Sequence, residues 1–128
     1  MALVIDLKPG EKILIGSAVI TNDSQRTRLH IAGDAPIIRE KDVMQEEDAD
    51  SPCKRIYFLV QCMYVSPSPE DYHEKYFSHV REIQKASPTS SIFFMQINDE
   101  IMNGAYYKAL KLCKELIDHE SELIARAS

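Results

Sequence analysis

The apolar residues of this chain change their spacing once, and that change limits the folds open to it. As far as Lys41 they fall in short runs separated by turn formers; from Ser51 onward they recur every three or four residues. The first habit belongs to strands with alternating faces, the second to amphipathic helices. The sequence therefore predicts an α+β protein in three stretches: a small antiparallel β-sheet over 1–41, an acidic hinge over 42–50 and a helical bundle over 51–128.

The strand signals are local. Leu3-Val4-Ile5-Asp6-Leu7 is closed by Lys8-Pro9-Gly10-Glu11, where Pro followed by Gly marks a type II turn. Lys12 to Ile15 and Ala18 to Thr21 follow, and Asn22-Asp23-Ser24-Gln25 is a second turn cluster. Arg26 to Ile31 alternates, which places Arg26, Arg28 and His30 on one face and Thr27, Leu29 and Ile31 on the other. Ile37-Ile38-Arg39 reads as a very short last strand. Tight turns between such short strands imply an antiparallel meander or a small barrel. A sheet of about 40 residues does not bury both of its faces alone. It is completed by the chain's own helices or by a second copy of the chain, a homodimer through the sheet.

The helical half has its own punctuation. Ser51-Pro52 joins an N-cap to Pro at the first helical position, and Ile56, Leu59, Val60 and Met63 make one stripe. Ser66-Pro67-Ser68-Pro69 breaks the chain before a second stripe of Tyr72, Tyr76, Phe77, Val80 and Ile83. A break at 87–91 precedes Ile92 to Met102, and Asn103-Gly104 caps or kinks the chain there. In the last helix Tyr106, Ala109, Leu110, Cys113, Leu116, Ile117, Glu120, Leu123 and Ile124 keep step, so three or four helices form the bundle.

The net charge of −5 is unevenly spread. Residues 1–41 carry a surplus of one cation, 51–128 a surplus of one anion, and 42–50 hold five carboxylates and no cation. Gln45-Glu46-Glu47-Asp48-Ala49-Asp50 lacks the glycine and alternation of a calcium loop and reads as a solvated hinge. The sheet is left near neutral and slightly basic.

No Gly-rich phosphate loop, GxSxG, HExxH or DxDxDG motif is present. His30, His73, His79 and His119 lie on different elements or faces, and His119 reads as part of a solvated helix face with Glu115 or Glu122. Cys53, Cys62 and Cys113 show neither CxxC spacing nor a His at ligand spacing. No catalytic residue, metal site or cofactor is predicted, and the chain is not read as an enzyme. The apolar strip Ile56 to Val60 falls far short of the roughly 18 residues of a membrane span. No secretory signal is visible at the N-terminus. A cytoplasmic protein without a membrane partner is expected.

Two constellations remain. Arg26 and Arg28 share a strand face with His30, and Lys8, Lys12, Arg39 and Lys41 lie at nearby turns or strand ends. Such cations suit RNA phosphates and guanine edges, and they equally suit the guarding of a sheet edge. All ten aromatic residues lie in the helical half, and Phe58, Phe93, Phe94 and Tyr107 exceed what one core face holds. A surplus of this kind points to a protein-binding groove or an oligomer seam.

Leu7-Lys8-Pro9-Gly10-Glu11-Lys12-Ile13-Leu14-Ile15, Pro36-Ile37-Ile38-Arg39-Glu40-Lys41-Asp42-Val43-Met44, Arg55-Ile56-Tyr57-Phe58 and Tyr107-Lys108-Ala109-Leu110-Lys111 resemble the FlbT family of flagellar regulators, in the family's order. The resemblance implies a repressor that acts after transcription on flagellin synthesis, at the 5′ untranslated region of flagellin mRNA, promoting its decay or blocking translation. It also implies partnership with FlaF and a chaperone-like contact with flagellin. Gly10-Glu11-Lys12-Ile13-Leu14-Ile15-Gly16, Asp34-Ala35-Pro36 and Arg39-Glu40 separately resemble CsrA, a small RNA-binding sheet protein. That resemblance gives Arg39 the part of a base-reading arginine, with Ile5 and Lys8 beside it on the first strand; Leu7 replaces a first-strand arginine.

Together these readings predict an RNA-binding flagellar regulator, with Lys8, Lys12, Arg26, Arg28, Arg39 and Lys41 on the RNA and Phe58, Phe93, Phe94 and Tyr107 on protein partners. The alternative is an adaptor or chaperone for flagellin or FlaF that makes no direct contact with RNA.

Overall fold

In a computed structural model, which describes residues 2–127, five strands precede four α-helices. The α+β class expected from the sequence is the one observed. The strands are β1 (Ala2–Leu7), β2 (Lys12–Ile15), β3 (Ala18–Thr21), β4 (Thr27–Ala32) and β5 (Ile37–Arg39). They pair antiparallel into two sheets, β1–β4 and β3–β2–β5.

This pairing is not a simple meander, because β2 and β3 alone pair as sequential neighbours. The reason lies in the faces. Ile5 and Leu7 of β1 and Ile13 of β2 share one buried cluster, against which Leu29, Ile31, Ile15 and Ile37 pack. Stacking two small sheets buries one face of each, which a single flat sheet of the same strands leaves open. The Lys8–Glu11 turn has the expected form: the Glu11 N–H donates to the Lys8 carbonyl at 3.0 Å, and Gly10 takes φ +79°.

The chain divides into two compact units after Val43. The acidic stretch holds a 3-10 turn at Glu46–Asp48, with Glu46, Glu47, Asp48 and Asp50 exposed. Its start is nonetheless anchored. The side-chain amide of Gln61 accepts from the Met44 N–H at 2.8 Å and donates to the Met44 carbonyl at 2.9 Å, as a neighbouring strand would.

The helices are α1 (Pro52–Val65), α2 (His73–Ala86), α3 (Ser91–Met102) and α4 (Tyr106–Ala127). Ser51 caps α1 by accepting from the Lys54 N–H at 3.2 Å. Ile56, Tyr57, Leu59, Val60 and Met63 are buried, and α1 packs against both α2 and α4. Tyr76 of α2 is fully buried, and its hydroxyl donates to Asn98 of α3 at 2.6 Å.

Glu120 keeps the apolar step of α4 for a specific reason. Its carboxylate accepts from the Ser51 hydroxyl at 2.5 Å and from the Cys53 N–H at 3.0 Å, so α4 supplies the negative charge at the N-terminus of α1. The stripe then outruns the bundle, and Leu123 and Ile124 are exposed. Among the described residues no helix is long and apolar enough to cross a membrane.

Candidate nucleic-acid interface

The outward face of the β1–β4 ribbon follows from its register. Asp6 lies opposite Arg28 and Val4 opposite His30, while Ile5 and Leu7 with their partners Leu29 and Thr27 take the other face. Arg28 and His30 are therefore exposed on one side, as their alternation requires. Arg26 precedes β4 and is exposed beside them.

Asp6 organises this surface. Its carboxylate accepts from the Arg28 Nε at 3.4 Å, and its main-chain carbonyl accepts from the Arg39 Nη2 at 3.3 Å. Arg39 lies opposite Ile13 across β2–β5, so its guanidinium passes from the three-stranded sheet to the edge of β1. A groove of about 460 Å³ opens there, lined by the cations Lys8, Arg26, Arg39 and Lys41 and by the carboxylates of Asp6 and Glu11. Glu11 is partly committed, because it accepts from the Lys8 N–H at 3.0 Å.

Asn22 holds the two turns that carry Lys8 and Arg26. Its side-chain amide donates to the Leu7 carbonyl at 2.9 Å and to the Gln25 carbonyl at 2.7 Å. The sequence marks Asn22 only as a turn former; a side chain bridging residues 15 positions apart leaves no local signature. Of the six cations expected at an RNA surface, Lys8, Arg26, Arg39 and Lys41 converge on the groove, and Arg28 reaches it through Asp6. Lys12 lies opposite Thr21 in the other sheet and does not line it.

The four aromatic residues expected on one protein-binding face do not form one. Phe94 is fully buried, with 0% of its surface exposed, because the α3 face of Phe94, Ile97 and Ile101 is the one turned to the core. Phe93 is half-buried, its ring centroid 4.9 Å from that of His119. His119 is consequently not part of a solvated acidic face; its Nε2 lies 3.3 Å from the Thr89 hydroxyl. Tyr107 is exposed beside Tyr64, with the Lys111 ammonium 5.0 Å from its ring centre, and Phe58 stands in a cleft between α1 and α2.

The exposed apolar residues of α3 are aliphatic instead. Ile92, Met95 and Met102 are 66%, 68% and 70% exposed. The available signal was the surfeit of apolar residues in α3, more than one buried face takes.

Burial disfavours the thiolate form at all three cysteines. Cys53 and Cys113 are buried, and burial, aided by the Glu120 carboxylate, pushes the Cys53 thiol up to about 12; burial raises Cys113 as well.

The model of the family described as "Flagellar protein FlbT" matches residues 3–124. The probable flagellum biosynthesis repressor protein FlbT 1 of Bradyrhizobium diazoefficiens is 47% identical over 124 residues, spanning 96% of this chain and 85% of that protein. A probable flagellum biosynthesis repressor protein FlbT of Rhodopseudomonas palustris is 42% identical over 126 residues, 98% of this chain and all of that protein. The flagellum biosynthesis repressor protein FlbT of Caulobacter vibrioides is 34% identical over 131 residues, covering 100% of this chain and 93% of that protein. No solved structure matches the chain.

Proposed function

The chain belongs to the FlbT family of flagellar proteins, and from that premise we propose that it represses flagellum biosynthesis by binding the 5′ untranslated region of flagellin mRNA in the groove beside β1. One observation supports the RNA reading above others: cations from the Lys8 turn, the approach to β4, the end of β5 and the residue Lys41 gather on one surface.

On this reading Lys8, Arg26 and Lys41 hold phosphates, where a point charge suffices. Arg39 is oriented by the Asp6 carbonyl and Arg28 by its carboxylate, which leaves guanidinium N–H groups for a base edge. The Arg28–Asp6 pair is exposed, so releasing it to RNA costs only about 0–1 kcal/mol. The net charge of −5 makes affinity depend on these placed groups and not on bulk attraction.

The test is an electrophoretic shift of the flagellin leader, with and without FlaF and flagellin. Arg26→Ala with Arg39→Ala is expected to weaken binding and to lower the slope of log affinity against log salt by about one for each phosphate contact removed. Equal affinity with an equal slope refutes the groove as the site.

A second reading, an adaptor for FlaF or flagellin, has its own support in the exposed Ile92, Met95 and Met102 stripe, since Met-rich surfaces accommodate partner helices. It predicts that Met95→Asp abolishes co-purification of the partner while leader binding persists.

A further inference from the structure

The cleft between α1 and α2 lies within the helical unit, and none of its lining residues belongs to the sheet unit. Its volume is about 520 Å³, inside the roughly 300–1,000 Å³ range of small-ligand sites. Arg55, Phe58 and Cys62 of α1 recur at helical spacing along one wall. Tyr72, Lys75 and His79 recur likewise along the other, at and beyond the start of α2. Glu46 and Ala49 of the acidic stretch complete the lining.

Two features of the lining point to a ligand. Three basic side chains converge: burial pushes the His79 imidazole below its ordinary range, and the Lys75 and Arg55 charges push it further. Among the described residues that line the cleft, Glu46 is the one carboxylate. Beside the cations stand two half-buried rings, Phe58 and Tyr72. Cations alone would suit any anion; cations next to aromatic rings suit an anion that carries a planar ring.

We propose that this cleft binds one nucleotide of single-stranded RNA, its phosphate between Arg55, Lys75 and His79 and its base against Phe58 and Tyr72. The inference rests on the reading of the chain as an RNA-associated regulator and adds a second, sequence-tolerant contact to it. Phe58 thereby moves from a protein-binding surface to a base-stacking one. Glu46 opposes the phosphate and sets a limit on affinity. The groups facing His79 are Arg55, Cys62 and Glu46 from α1 and the acidic stretch, with Lys75 and Tyr72 from its own side.

The experiment follows the His79 ring protons of the full-length protein by NMR, with UMP, hexauridylate and inorganic phosphate as probes. UMP and hexauridylate are expected to raise the His79 titration midpoint, because an adjacent anion favours the imidazolium. Hexauridylate binds at least as tightly as UMP. Lys75→Ala weakens both about tenfold, the equivalent of one charge-assisted contact. Phe58→Leu weakens both and leaves the response to phosphate unchanged, while Glu46→Gln strengthens both.

No rise of the His79 midpoint with either nucleotide overturns the proposal. So does Phe58→Leu that melts as wild type and binds UMP equally well, which would reduce the cleft to a simple anion site. UMP binding without hexauridylate binding overturns the RNA assignment. The sheet groove is scored separately, on the leader with the Arg26 and Arg39 substitutions, so either site can fail while the other stands.

Discussion

Replacing Glu120 is expected to cost the helical unit far more than an ordinary change on a helix surface. Glu120→Ala removes the acceptor of the Cys53 N–H and of the Ser51 hydroxyl. A hydrogen bond to a charged group contributes roughly 1.5–3 kcal/mol net. A carboxylate at a helix N-terminus adds about 0.3–1 kcal/mol. Ser51 keeps its own bond to the Lys54 N–H, so the cap is only partly lost. The expected loss is about 2–3 kcal/mol for Glu120→Ala and about 1 kcal/mol for Glu120→Gln, which retains an acceptor. For a unit of this size that is roughly 10–20 °C in Tm for the Ala variant. Urea unfolding followed at 222 nm, where the helices dominate, measures it. A cycle with Ser51→Ala isolates the coupling across α1 and α4. The Cys53 thiol reports independently: burial raises its pKa to about 12, and the Glu120 charge and hydrogen bond contribute to that rise. Glu120→Gln must therefore bring the thiol down, measured by the pH dependence of its alkylation. A loss below about 0.5 kcal/mol in the Ala variant, or an unchanged thiol in the Gln variant, refutes the clamp.

Gly10→Ala forces a side chain onto φ +79° and should destabilise the sheet unit by about 1 kcal/mol, read from its amide-exchange protection. Gln61→Leu leaves the Met44 N–H and carbonyl without their partner, for about 1–3 kcal/mol and faster exchange of the Met44 amide; unchanged exchange refutes the anchor. Phe94→Ala should cost about 3–5 kcal/mol and Met95→Ala under about 0.5 kcal/mol, because the first empties the core and the second truncates an exposed side chain; equal melting of the two contradicts the burial pattern. Burial, then the Glu120 charge and hydrogen bond, push the Cys53 thiol up from an ordinary 9.0 to about 12, so the folded chain holds that proton longer. Its stabilisation is complete below pH 9 and is lost as pH rises from 9 toward 12, seen as a falling urea midpoint in wild type and a flatter one in Cys53→Ala.

Features fixed by neighbouring residues were legible in the sequence. The Pro9-Gly10 turn, the Ser51 cap and the exposed side of Arg28 and His30 all follow from period and turn chemistry within a few residues. Features fixed by distant partners were not. The exchange of β1 from β2 to β4, the passage of Arg39 to the Asp6 carbonyl and the placing of Phe58 among cations each depend on how elements stack. Phe93 and Phe94 show the limit most clearly. Adjacent residues on a helix point about 100° apart, so at most one can face the core squarely, and periodicity alone did not say which. Glu120 keeps the step of the α4 stripe, but its partners Ser51 and Cys53 lie nearly 70 residues away and leave no local signal.

The Gln61 grip on Met44 bears on what kind of segment the acidic stretch is. A free nine-residue acidic linker would wander over about 16 Å, from roughly 5–6 Å per square root of residue count. With Met44 held to Gln61 of α1, the stretch is not free at its start. Held at Met44 by Gln61 and closed again by the Ser51 cap of α1, the acidic residues between them form a loop fastened at both ends. Its carboxylates at 46–48 are thus displayed by the helical unit as a closed loop and do not act as a spacer.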